Sequence, residues 1–428
     1  MTNDAGALFR PIALGGVPLP GRLFKAATSE TRATADGLIG PEFLAFYEPI
    51  ARGGTPLIIT GNLYTSAHGR ATPRQPGADR DETIPGLRRL ARTVQRHGSR
   101  LVVQLSHAGR QVLPPGVGLS EAVSASAVKD LLTGTRPRPL TEGEIAEAVR
   151  GFAAAAARCR EAGADGVQIH AAHGYLISQF LTPYTNRRND GYGGSPGGRA
   201  RLLVEILDAV RERVGSDYLV MLKINGSDAL PLRPGLGTDE LVDVARLAER
   251  HGVDAVEVSV GHYESGFPVV RGTFGRSLWN FSRGSARDLP TLRKVAVRVG
   301  WPFAALACNL LWKPREGFNL EYARAFKQAL RIPVLCVGGF RTREAMERAI
   351  DEGMCDAVTV GRGLIADPFL YRHLRDGTEG PRCVECNACV GHIGTRPVDC
   401  YHPDVKRARD AMLAADLAAE VPPDSSLP

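Results

Sequence analysis

The stretch Leu247-Ala-Glu-Arg-His-Gly-Val-Asp-Ala-Val-Glu-Val258 runs from the end of an amphipathic helix, through a glycine stop, into a short run of apolar, β-branched residues. The same order recurs in Arg158-Cys-Arg-Glu-Ala-Gly-Ala-Asp-Gly-Val-Gln-Ile169 and in Ala349-Ile-Asp-Glu-Gly-Met-Cys-Asp-Ala-Val-Thr-Val360. In each, the glycine suits the left-handed position that ends a helix, and the apolar run after it suits a strand covered on both faces in a parallel sheet. Three copies of one αβ unit predict a repeating α/β fold.

Outward from these copies, Leu23–Ala27, Leu57–Thr60 and Leu101–Leu105 read as strands upstream, and Leu219–Ile224 and Pro333–Val337 read as strands between them. Together they make eight strands, each followed by helical periodicity. Thr141-x-x-Glu144 has the form of a capping box, and Thr238 and Thr342 stand where N-caps belong. The pattern predicts a (βα)8 TIM barrel over residues 1–376, with an open doubly wound sheet as the alternative.

The connection from Val260 to Asn319 is too long for a simple βα loop and holds all three tryptophans, Trp279, Trp301 and Trp312. A sixth βα insertion at 261–317 rises from the face where barrel enzymes keep their active sites, so it reads as a lid or capping insertion; the tryptophans would also serve as its own small core. Residues 377–428 form a Cys-rich extension with a charged, helix-like stretch at Asp404–Ala419 and a tail, Pro422–Pro428, read as disordered.

The 428 residues carry a formal charge of +7, but the basic residues are spread along the chain, which argues for a solvated surface and against nucleic acid. The most apolar stretch free of acids and bases, Gly300–Trp312, is too short to cross a bilayer, so no membrane span is expected. Met1–Ala7 has no secretory character, and a cytoplasmic enzyme follows as the expectation. Of eight cysteines, Cys159, Cys308, Cys336 and Cys355 sit among apolar neighbours as small core residues, while the other four crowd between Cys383 and Cys400.

His170-Ala-Ala-His173-Gly-Tyr175 follows directly on a strand and therefore stands at the C-terminal mouth of the barrel. Two imidazoles aimed at one carbonyl oxygen would polarise it and stabilise the enolate that develops when hydride adds at the β-carbon. Tyr175 would supply the proton to the α-carbon. Two histidines three apart would also suit a metal, but no third ligand stands near them in sequence.

The longer run His170-x-x-His173-Gly-Tyr-Leu-x-x-Gln-Phe-Leu-x-Pro183-x-x-Asn186-x-Arg188-x-Asp190-x-Tyr192-Gly-Gly-Ser195 resembles the signature of the old yellow enzyme family. The resemblance extends from Arg22-Leu-Phe-Lys-Ala-Ala-Thr-Ser29, through Gln104-Leu-Ser-His-Ala-Gly-Arg110, to Gly338-Gly-Phe340 and Gly361-Arg-Gly-Leu-Ile-Ala-Asp-Pro368. It implies a TIM barrel holding FMN, reduced by NAD(P)H. Carried over by position, Ala26, Ala27 and Ser29 would lie under the flavin, Gln104 would bond its pyrimidine edge, and Lys223 would stabilise negative charge at N1 and O2 of the reduced ring. Gly338, Gly339, Gly361 and Arg362, after the seventh and eighth strands, would hold the phosphate. Gly198 and Gly21 replace asparagines of the family, and the long insertion, with His262, Tyr263 and Glu264 at its base, departs from it.

Cys383-Val-Glu-Cys386-Asn-Ala-Cys389 and Cys400 have spacing that suits a [4Fe–4S] cluster or a tetrahedral zinc. The segment is similar to the iron–sulfur motif of the dienoyl-CoA reductase and trimethylamine dehydrogenase branch, and that likeness favours [4Fe–4S]. The sequence thus predicts an ene-reductase acting on the C=C of an α,β-unsaturated carbonyl compound. An FMN/iron–sulfur dehydrogenase or demethylase that passes electrons to a separate partner is the alternative, and a non-catalytic redox sensor the minor one. A small-molecule substrate is implied, and oligomerisation is compatible with the reading.

Overall fold

Eight parallel strands close on themselves in the computed structural model, which describes residues 6–112, 114–230, 232–265, 268–283, 289 and 291–420. They are β1 (Leu23–Lys25), β2 (Leu57–Ile59), β3 (Arg100–Ser106), β4 (Gly166–Ala171), β5 (Leu219–Asn225), β6 (Ala255–Ser259), β7 (Val334–Val337) and β8 (Ala357–Val360). Each pairs with the next, and β8 returns to β1 with Val358 opposite Leu23 and Val360 opposite Lys25, so the sheet has no edge and the open alternative is excluded. These are the eight strands read from the sequence. They were legible because almost every strand residue is buried, which turns each strand into an apolar run.

Helices α1 (Pro41–Arg52), α2 (Ile84–Gln95), α3 (Glu142–Glu161), α4 (Leu176–Leu181), α5 (Pro196–Val214) and α6 (Thr238–Arg250) follow the first five strands. The insertion holds α7 (Gly275–Arg283) and α8 (Thr291–Leu311), and α9 (Leu320–Ala329), α10 (Arg343–Asp351), α11 (Arg362–Ala366) and α12 (Leu370–Asp376) complete the barrel. The capping box at Thr141 and Glu144 forms, and Thr342 caps α10 by accepting from the Ala345 N–H. Thr238 is a correction: it is the first residue of α6, and Gly237 is the N-cap, its N–H donating to the Glu240 carboxylate at 3.2 Å.

The barrel interior is layered. At its N-terminal end a hairpin of Ile12–Leu14 and Val17–Leu19 sets Leu14 and Leu19 against Phe24, Leu57, Leu219 and Met221, a buried apolar plug. Above the plug, inward positions turn polar. Gln104 donates to Gln168 at 2.6 Å, Gln168 and Lys223 donate to Glu257 at 2.9 and 3.0 Å, and Thr359 donates to its other oxygen at 2.7 Å. Charges this deeply buried persist only when paired and hydrogen-bonded.

The insertion has its own small core: Phe274, Leu278 and Ala305 pack with Trp301, Cys308 and Trp312, and Trp279 meets Trp301 edge-on at 5.3 Å. Cys159, Cys336 and Cys355 are buried, as expected, and Cys308 is half-buried in this cluster. Helix α8 extends beyond the apolar stretch read from the sequence, because Arg293, Lys294 and Arg298 do not interrupt it; among the described residues it is the one helix long and apolar enough to cross a membrane by length and composition. After the barrel, α13 (Pro403–Glu420) takes in the helix-like stretch read at Asp404–Ala419, and the tail at 422–428 lies outside the described residues.

Candidate functional site

His170 is the last but one residue of β4, His173 lies in the loop beyond it, and Tyr175 is the residue from which α4 starts. The two imidazole rings stand 5.2 Å apart and perpendicular, and the Tyr175 ring lies 4.6 Å from His170. His173 adopts φ 61°, the left-handed region that a side chain enters at a cost. Three bonds hold it there: its N–H donates to Asn225, its carbonyl accepts from Gln111 at 2.7 Å, and its Nε2 meets Ser259 Oγ at 2.7 Å. Gly174 follows at φ 78°, and a Cβ on it would fall 2.5 Å from both Gln111 Nε2 and His262 Nε2, so the turn has no room for a side chain.

Both imidazoles are neutral. Burial, reinforced by His173 and Lys223, holds His170 well below its ordinary value, and burial with Lys223 and His262 pushes His173 down to about 3. His170 Nδ1 accepts from the Ala172 N–H at 3.2 Å, which leaves the proton of the neutral ring on Nε2 as a donor. Burial raises the Tyr175 phenol, with Asn62 pulling the other way, so it stays protonated at neutral pH.

Two cavities meet at this mouth. The first, about 1100 Å³, has Ala26, Ala27 and Ser29 on one wall and Lys223, Arg341 and Arg362 among its polar lining, and it reaches Gly339 and Gly361. The second, about 1650 Å³, is lined by His173, Tyr175, Gln111 and His262 and by Phe281 and Leu289 of the insertion. Ser29, His173, Val269, Val270, Val390 and Ile393 line both. A flat aromatic ring ending in one phosphate fits the first: small residues leave space for a ring, and two arginines and a lysine complement its charges.

Most of the cofactor residues assigned from the sequence line that first cavity, but two do not, and of the three catalytic candidates Tyr175 lines the second, His173 lines both and His170 lines neither. Gln104 sits one layer down with its amide engaged by Gln168, and Gly338 turns its Cα toward the Phe318 and Asn319 backbone. The sequence reading passed over Arg341 and Ser259 on the cavity wall, and over Lys25 and Glu257 behind it. Lys25 is fully buried, donates to Thr28 Oγ1 at 3.0 Å and lies 3.6 Å from Glu30; burial outweighs that carboxylate and lowers it to about 8. The signal was present, since a charge in the middle of a buried strand must have a partner.

The four late cysteines line a third cavity of about 320 Å³, which also touches Arg362 and Ala366, and Cys383 and Cys389 line the first cavity as well. They are half-buried. Burial raises Cys383 and Cys400 and pushes Cys389 up to about 12. Among the described residues no three such side chains converge on a single-ion site. Arg362 bonds Asn387, and Arg341 pairs with Glu385 at 2.8 Å, which ties the cysteine loop to the wall of the first cavity.

The sequence profile of the NADH:flavin oxidoreductase / NADH oxidase family matches residues 7–265, and the dihydrouridine synthase profile matches residues 314–410, across β7, β8 and the cysteine loop. The chain is 32% identical to the NADH oxidase of Thermoanaerobacter brockii over 91% of its own length, and spans 54% of that protein. It is 31% identical to the 4,4'-dithiodibutanoate disulfide reductase of Rhodococcus erythropolis, covering 93% of this chain and 96% of the relative. Among solved structures, 2-naphthoyl-CoA reductase superposes with a TM-score of 0.79 at 25% identity, covering 94% of this chain and 58% of that one.

Proposed function

Because the chain belongs to the NADH:flavin oxidoreductase / NADH oxidase family, we propose that it holds FMN in the first cavity and reduces the C=C of an α,β-unsaturated carbonyl compound in the second, with NAD(P)H as reductant. The observation that carries this reading is the meeting of the two cavities at His173, beside His170 and Tyr175. FMN, when bound, supplies two-electron transfer from the nicotinamide to the alkene β-carbon. Lys223, Arg341 and Arg362 complement its ring and phosphate, with Ala26, Ala27, Ser29 and Gly339 leaving it space.

His170 and His173 would each donate a neutral N–H to the substrate carbonyl. His173 does so once its Nε2 exchanges Ser259 for the substrate, and the developing oxyanion strengthens both bonds. Tyr175 gives its proton to the α-carbon and recovers one from solvent. The insertion, through Phe281 and Leu289, serves as a lid that keeps the second cavity dry.

The test is His170→Ala combined with His173→Ala. A para-substituted phenol should bind the flavoprotein at least about 10²-fold more weakly, and enone-driven reoxidation should slow by a similar factor, while FMN content is retained. Unchanged phenol affinity removes the pair from the site.

A second reading, an FMN/iron–sulfur dehydrogenase that hands electrons to a separate carrier, is favoured by Cys383 and Cys389, which line both the first cavity and the cysteine cavity. The four thiols line one pocket, and their C-x2-C-x2-C-x10-C spacing suits the ligands of a [4Fe–4S] cluster. Protein purified anaerobically should carry about four iron and four sulfide per chain. One zinc and no sulfide would make the centre structural and remove this reading.

A further inference from the structure

Helix α8 has two apolar faces, and only one of them is used. Trp301, Ala305, Cys308 and Trp312 pack inward on Phe274 and Leu278 of the insertion. On the other side Leu292, Val295, Val299, Phe303, Leu306 and Leu310 are each more than half exposed. Their spacing of three and four places them on one stripe, and at 1.5 Å per residue the stripe runs about 27 Å along the helix. A contiguous apolar surface of this kind on a folded chain marks an interaction site.

The charges around the stripe say what covers it. Between Thr291 and Arg315 the chain carries Arg293, Lys294, Arg298, Lys313 and Arg315 and no acid. At about 100° per residue, Arg293 and Arg298 fall on opposite flanks of the stripe, each roughly 110° from its centre. An apolar centre with cationic flanks is the pattern of a helix lying in the surface of an anionic bilayer. A second copy of this chain would bring the same cations face to face. A transmembrane course does not fit either, since the opposite face is committed to α7 and Arg298 sits in mid-helix.

The stripe also continues toward the active-site mouth. Arg293 donates to the carbonyl of Leu131 at 3.1 Å, Leu131 is itself half exposed, and the next two residues, Leu132 and Thr133, rim the second cavity.

We propose that the insertion docks this protein peripherally on an anionic lipid surface, with the exposed stripe of α8 in the acyl boundary and Arg293, Arg298 and Lys313 at the headgroups. The proposal is independent of the chemistry assigned to the barrel.

Flotation of the full-length flavoprotein with vesicles of phosphatidylcholine, alone or mixed with phosphatidylglycerol, tests it. The protein should float with the anionic vesicles, far less with the neutral ones, and progressively less as salt rises. Phe303→Ser with Leu306→Ser should lower the partition by at least about tenfold, and Arg298→Glu with Lys313→Glu should do the same through charge alone, both retaining the flavin spectrum. The second pair leaves every apolar contact in place and so decides the matter if the first impairs folding. Absence of flotation at low salt overturns the proposal. So does a dimer in sedimentation velocity that the serine pair converts to monomer, because the face then belongs to a second copy.

Discussion

Four histidines of this chain are kept neutral by their surroundings. Burial pushes His107, His173 and His262 down to about 3 and holds His170 well below its ordinary value. The unfolded chain takes up a proton on each near 6.5, whereas the folded chain does so only near 3 at His107, His173 and His262 and well below the ordinary value at His170. The unfolded state therefore binds more protons across that window. The stability these residues confer is fully present above 6.5 and is lost as pH falls toward 3, at about 1.4 kcal/mol per pH unit for each histidine. Thermal melts should show the midpoint beginning to drop below about pH 6.5, before most carboxylates titrate. A midpoint flat down to about pH 4.5 would contradict the neutral assignment. On the proposed function, carbonyl activation should share this property and show no inflection where a free histidine would titrate.

Arg110 and Glu264 join the loop after β3 to the base of the insertion. Both are buried, the guanidinium also donates to the Val128 carbonyl at 3.1 Å, and the carboxylate accepts from the Leu131 N–H. Arg110→Met leaves a buried carboxylate without its cation and should destabilise the protein by about 3–5 kcal/mol in chemical denaturation, whereas adding Glu264→Leu should recover most of that loss. A double variant as unstable as the single one would mean that packing of the arginine stem, not charge pairing, carries the contact. Nothing in the sequence announces this pair. Arg110 belonged to a recognised motif, but its partner is 154 residues away, and a sequence shows that a charge must be satisfied without showing what satisfies it. The same limit hid Glu257 as the partner of Lys223 and Gln168 as the partner of Gln104. Contiguous features were legible: the eight strands through burial on both faces, and the His170 to Tyr175 run because it occupies one turn after one strand. Thr238 was misread because Glu240 serves whichever residue precedes the helix, and here that is a glycine.

At the scale of the whole molecule, the hairpin of residues 12–19 makes the barrel, among the described residues, a vessel stopped at one end. Leu14 and Leu19 close its floor, and both large cavities open at the other end, beneath the insertion. On the proposed function, the nicotinamide that brings electrons and the acceptor that removes them would queue at the same doorway, over the same Ser29 and His173, and neither would be admitted while the other is inside. Such traffic is ping-pong by construction. Initial rates measured against nicotinamide at several fixed acceptor concentrations should give parallel double-reciprocal lines, each substrate should inhibit competitively against the other when in excess, and an intersecting pattern would mean that the vessel has a second way in.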